Sequence, residues 1–159
     1  MALVAAPFFA ILFAIIQLGY RFFVAEALDT AVAEASRAIM TGQVQSNGAI
    51  TTAEQFRDQV LCNTTNRLLP DFMDCSKLVV DVRQLSAFGD ASFSTSATDL
   101  LTGAATTYSP GAKGSIIVAR AAYPLPAVAP SLTGGGASMI GGELQYALLG
   151  VFVFRNEPF

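Results

Sequence analysis

The chain predicts an α+β fold, one long amino-terminal helix followed by a small sheet, and three features carry that expectation. Residues 1–20, MALVAAPFFAILFAIIQLGY, hold no charged side chain before Arg21. The helical pattern then continues to Thr41-Gly42. Later segments at 78–85, 115–123 and 144–155 have the apolar, β-branched character of strands.

Twenty helical residues at about 1.5 Å of rise span roughly 30 Å, the thickness of a bilayer's hydrocarbon core. Residues 1–24 therefore read as a transmembrane or assembly helix, with Leu3, Pro7, Phe8, Phe9, Leu12, Phe13, Ile16 and Gln17 offered to lipid or to other helices. A cleavable secretory signal would need a basic region ahead of the apolar core and small residues behind it. Neither is present, since Met1 leads straight into apolar residues and Arg21-Phe22-Phe23-Val24 is too bulky for cleavage. The competing expectation is a core helix buried in a soluble protein. Pro7 removes a backbone donor and should loosen or kink the helix near its start. Gln17 either hydrogen-bonds across to a partner helix or sits hydrated beside Tyr20 and Arg21.

Over residues 25–41 the same helix turns amphipathic. Leu28, Val32, Ala35 and Ile39 recur at helical spacing, and Glu26, Thr30, Glu34 and Arg37 occupy other faces. Glu34 and Arg37 can pair across one turn, and Gly42 closes the run. The result is one helix of about forty residues, roughly 60 Å long.

The remainder, residues 25–159 with the amphipathic half included, suits a single small exported domain. Ser46-Asn47-Gly48 is turn chemistry, and Thr51 and Glu54 have the spacing of a capping box opening a second helix over about 52–69. Phe56, Val60, Leu61 and Leu68 mark its apolar face, and Cys62 lies on it. Cys62 and Cys75 are the only cysteines. A disulfide closing a small loop is the leading expectation, with two buried thiols or a shared metal site as alternatives. Residues 78–85, LVVDVRQL, place Leu78, Val80 and Val82 on a dry face and Asp81 and Arg83 opposite. Residues 86–114 read as a long surface loop with a short helix at 97–101. The next strand, 115–123, is closed by Pro124 and Pro126. A flexible loop containing Gly134-Gly135-Gly136 follows. Residues 144–155, LQYALLGVFVFR, are too few for a second helical span. Apolar on both faces, they predict a central strand, one side on the long helix and the other under the Ser/Thr-rich loop or against a neighbouring subunit. Tyr146, Leu148, Phe152 and Phe154 are the candidate partner surface.

Composition excludes several functions. The chain is 53% hydrophobic and 13% charged, against about 25% charged in an average soluble domain. A net charge of -3 and a pI near 4.7 give no basic stripe for nucleic acid. Histidine is absent, which removes the commonest general base and the usual catalytic triads. Residues 109–115, SPGAKGS, lack the order of a phosphate loop, and the triple glycine lacks a dinucleotide-binding pattern. No spacing singles out two carboxylates as an acid/base pair. No catalytic residue, metal or cofactor is expected. The sequon Asn63-Thr64-Thr65 is too short a pattern to carry weight.

The segments ALVAAPFF, LDTAVAEASRAIMTGQVQ, the Cys62–Cys75 pair ahead of LVVDV, and the terminal VFRNEPF together resemble the TadE-like pseudopilins of tight-adherence (Tad/Flp) pilus systems. The most specific pieces are Thr41-Gly42-Gln43-Val44-Gln45 and Asn156-Glu157-Pro158. The resemblance implies a type IV pilin-like layout, a long helix half in the membrane and packed on an antiparallel sheet. It also implies a structural role in building or initiating a pilus, at the bacterial inner membrane with the carboxy-terminal domain periplasmic. Other pilins, or subunits of a membrane complex, would be partners through the helix, alongside lipid. Family members carry a glutamate just before the apolar run, after a processing site, whereas no acidic residue precedes Glu26 here. The expectation is a chain given without its original beginning, or a divergent member that keeps the anchor without processing. The alternative function is a single-pass subunit that scaffolds a membrane complex through Gln17 or the 144–154 surface.

Overall fold

The computed structural model describes residues 2–90, 95–131 and 135–158 of the 159-residue chain, without the side chains of Ala2, Leu3 and Asn47. Part of the expected 86–114 loop and Gly134 of the triple glycine lie outside the described residues. The architecture is α+β with a pilin-like layout, a long amino-terminal helix on a small antiparallel sheet.

Helix α1 runs unbroken over Ala2–Met40, straight through Pro7. The proline falls in the first turns, where it deprives only the Leu3 carbonyl of its donor, so the expected loosening does not interrupt the helix. At the other end Gly42 takes φ 76°, a left-handed conformation that costs glycine nothing and ends α1. The single-turn α2, Gln43–Asn47, follows.

Helix α3, Ala53–Phe56, starts one residue later than the Thr51/Glu54 spacing suggests. Its capping box is Thr52 with Gln55, and the Gln55 amide oxygen accepts from the N–H of both Thr51 and Thr52. It passes into a wider π-turn, Arg57–Leu61, and stops there, well short of the expected residue 69. The cause is local competition for backbone groups. The Asn63 side chain donates to the Gln59 carbonyl and accepts from the Thr65 N–H, an arrangement that outbids continued helix. Cys62 thus caps the helix instead of lying on it, and it is bonded to Cys75 with Cα atoms 6.2 Å apart.

Among the described residues the sheet has four strands in the order β1-β2-β4-β3, all antiparallel. They are β1 Val79–Leu85, β2 Ile116–Pro126, β3 Ser138–Ile140 and β4 Glu143–Arg155. Strand β2 runs through both prolines that were expected to end it. Ser115 accepts from Asn156 and Ala127 donates to Leu144, so odd residues of β2 turn their backbone groups toward β4 and even ones toward β1. Pro124 and Pro126 are even and lie past the last β1 pair, Val79↔Ala122, so their missing N–H groups cost no ladder bond. The short β3, which was expected to be loop, pairs only with residues 143–145. Beyond Gln145 the outer side of β4 has no strand partner among the described residues, so β4 is central at its start and an edge thereafter.

The α1 stripe Val24, Leu28, Ala31, Val32, Ala35 and Ile39 is buried against Val80, Val82, Ile117, Ala119, Ala121, Tyr123, Tyr146, Leu148 and Phe154. At Gly150 the helix packs directly over the strand backbone. A Cβ there would lie 3.1 Å from Val32 Cγ2 and 3.2 Å from Leu28 Cγ.

The opposite sheet face, expected to be wet at Asp81 and Arg83, is covered at Asp81, while Arg83 stays partly exposed. Helix α4, Ala97–Leu101, packs across β2 and β4 and buries Leu100. Its Ser96/Asp99 capping box, through the Ser96 N–H and hydroxyl, holds the Asp99 carboxyl below the usual carboxylate range. On the same face of the sheet, Asp81 is fully buried. Its carboxylate accepts from Arg120 at 2.6 Å, from Arg83 at 3.0 Å and from the Thr107 N–H at 2.8 Å. A buried carboxylate persists only when its oxygens are satisfied in this way.

Two stability predictions follow from this packing. Gly150→Val should push α1 off β4 and cost about 1–3 kcal/mol, read as a lower urea midpoint in the detergent-solubilised full chain; an unchanged midpoint refutes the contact. Reducing Cys62–Cys75 should cost up to about 3 kcal/mol in the loop-entropy account, visible as a lower Tm with reductant than without.

Candidate membrane and assembly helix

The functional candidate is the part of α1 that the domain leaves bare. Phe8, Phe9, Ile11, Leu12, Phe13, Ile15 and Ile16 are all exposed, and Pro7 lies among them. Consecutive residues cover every side of a helix, so this segment is apolar all round. An apolar surface of that extent facing water marks a membrane or protein contact. Among the described residues, α1 is the one helix long and apolar enough to cross a membrane. The side chain of Leu3, assigned to the same segment, lies outside the described ones.

The domain begins to grip α1 at Gln17. With its amide oxygen turned to the loop after β2, Gln17 accepts from the N–H groups of Val128 and Ala129 at 3.2 and 3.1 Å. Both sequence expectations for Gln17, a partner helix or bulk water, are thereby replaced by a contact within the chain. One turn on, the Arg21 guanidinium lies 4.4 Å from the centre of the Tyr146 ring, a cation–π contact. Tyr20 and Phe23 meet the ring of Phe72 at 6.1 and 5.9 Å. Sequence reading missed Phe72 and Val128 because neither belongs to a periodic segment.

The expected partner surface on β4 needs correction. Tyr146, Leu148 and Phe154 are buried in the core that α1 covers. Phe152 alone stays exposed, at 37%. The three buried residues are core.

At the far end of α1 the structure joins two segments that are distant in sequence. The Gln45 side-chain amide donates to the carbonyls of Ile39 and Pro110 at 3.2 and 3.1 Å. The Asn156 amide donates to Pro110 and Ala112 at 2.9 and 3.1 Å. The Glu157 N–H closes onto the Met40 carbonyl at 2.9 Å. The Thr41–Gln45 exit and the Asn156-Glu157 ending, the two most specific pieces of the resemblance, thus form one polar lock around the Pro110 turn.

A shallow groove between α1 and the π-turn is lined by Glu34, Arg37, Gln43, Gln59 and Asn63. It sets no base beside a nucleophile. Among the described residues no three His, Cys, Asp or Glu side chains come together as a metal site.

Comparison with known proteins returns one family. Residues 1–37 match the family described as TadE-like protein, the family the sequence resembles. The matched stretch covers the bare apolar half of α1 and most of its buried stripe. No curated protein and no solved structure matches the chain.

Loss of the lock should be measurable apart from the helix. Asn156→Ala should cost about 1–2 kcal/mol of domain stability and Gln45→Ala a similar amount. The double variant should fall short of the sum because both amides share the Pro110 carbonyl. Strict additivity in denaturant titrations would mean the two do not act together.

Proposed function

We propose that the protein is a structural subunit of a Tad-type pilus system, a minor pilin or pseudopilin. In this reading residues 1–24 hold it in the bacterial inner membrane, and residues 25–159 form a periplasmic domain. The observation that carries it is the coincidence of the TadE-like match, residues 1–37, with a helix whose first half is bare and apolar on every side. The Cys62–Cys75 disulfide suits an exported, oxidising setting.

The physics of assembly follows from that helix. In lipid there is little hydrophobic gain in pairing helices, so association depends on close packing and on the shape of neighbouring surfaces. Phe8, Phe9, Leu12, Phe13 and Ile16 supply the packing bulk, and other pilins are the partners. The role is structural, not catalytic. The scaffold alternative is weakened, because Gln17 and three of its four β4 contacts are occupied within the chain.

Pili purified from cells carrying a tagged copy should contain the protein, and deletion should sharply lower the number of pili. Normal piliation in the deletion strain would overturn the proposal.

A further inference from the structure

We propose that the domain does not stand clear of the membrane on its helix but seats on it, with the loops carrying Val128 and Phe72 entering the lipid interface. This rests on the membrane reading above and adds the lipid surface as a partner of the domain itself.

The part of α1 free of the domain ends near Ile16. The exposed apolar surface of α1 continues through Leu18, Tyr20, Phe22 and Phe23. At that level α1 is already held by the domain, since Gln17 binds the backbone of Val128 and Ala129 and both Tyr20 and Phe23 touch Phe72. If Phe22 and Phe23 reach the lipid boundary, the two loops reach it with them.

Their chemistry suits that position. Val128 is 84% exposed and Phe72 49% exposed, apolar side chains where loops ordinarily present polar ones. Residues 121–142 contain no charged side chain. The N–H groups of Val128 and Ala129 are satisfied by Gln17, which irregular backbone requires at membrane depth. Arg21, the charge nearest the boundary, lies over the Tyr146 ring. Tyr20 is the kind of residue that collects at membrane interfaces. Asp71, beside Phe72 and within 3.7 Å of Arg67, keeps that loop at headgroup level, so Val128 is the deeper of the two.

The chain contains no tryptophan, so single tryptophans report depth without background. The full chain would be reconstituted into phosphatidylethanolamine/phosphatidylglycerol vesicles whose acyl chains carry bromine near the headgroup or near their ends. The variants are Phe13→Trp in the span, Val128→Trp and Phe72→Trp in the two loops, and Phe88→Trp as the distal control. Phe88 is 56% exposed and follows Leu85, at the end of the sheet opposite Tyr146. The expected result is strong quenching of Phe13→Trp by the deep bromine. Val128→Trp should be blue-shifted on reconstitution and quenched by the shallow bromine, Phe72→Trp more weakly, and Phe88→Trp not at all. Quenching of Phe13→Trp with Val128→Trp no more affected than Phe88→Trp would overturn the seat and leave the anchor standing. A blue shift of Val128→Trp without bromine quenching would mean that protein covers the loop, and it also overturns the seat. No quenching of Phe13→Trp would remove the membrane reading itself.

Discussion

The packing of one helical stripe on one sheet face constrains everything else in this protein. From Val24 to Ile39, α1 gives the domain a large part of its core, while the same helix from Val4 to Ile16 gives it nothing. The two halves differ in what they ask of their surroundings. The second half is satisfied within the chain; the first leaves its apolar surface bare, and a bare apolar surface of that extent marks a membrane or protein contact. Since the helix is continuous, the domain cannot relax its grip without moving the free end. Gly150 leaves no room for a side chain under α1, since a Cβ there would press on Val32 and Leu28.

The sheet would be poorly stabilised by that one face alone. Its other side is closed by α4 and the following segment, and Asp81 is the fastening. Strand β1 supplies the carboxylate, β2 supplies Arg120, and the incoming chain supplies the Thr107 N–H. Backbone bonds between Val82, Thr107 and Ser109 continue the attachment. A charge fully removed from water is tolerated there because its donors come from separate segments, and this ties those segments to one register. The Pro110 turn then sits where Gln45 and Asn156 can both reach it, which joins the exit of α1 to the end of β4. The two ends of the molecule thus do different work. One is apolar and bare; the other is polar and locked.

Much of this was legible in the residues. Leu28, Val32, Ala35 and Ile39 announced the buried stripe because helical periodicity is a local property. The uncharged run ahead of Arg21 announced the bare half for the same reason, and a short helix at 97–101 was expected within the Ser/Thr-rich loop; the Ser96/Asp99 capping box that starts it appears in the structure. The errors fell where non-local contacts override local signals. Asp81 and Arg83 read as a wet face by alternation, but the chain returns twenty-odd residues later to cover Asp81. Tyr146, Leu148 and Phe154 read as a partner surface because a strand apolar on both sides needs two covers. Their own helix is one of them. The second helix read as running to 69 because its apolar spacing persisted, whereas the Asn63 side chain had already taken the backbone groups needed to extend it.

The sequence by itself determined the long helix, the division of that helix into a part apolar on all sides and a part with one stripe, and the α+β class. Periodicity, charge and caps act within a few residues of one another and can be read without knowing the fold. Tertiary structure alone decided where the domain takes hold of the helix, at Gln17 and not at the first charged residue, and which strand residues are core. It also decided that Gln45 and Asn156 share one carbonyl. Each of these depends on which distant groups arrive first to satisfy a donor, an acceptor or an apolar face, and no local pattern encodes that.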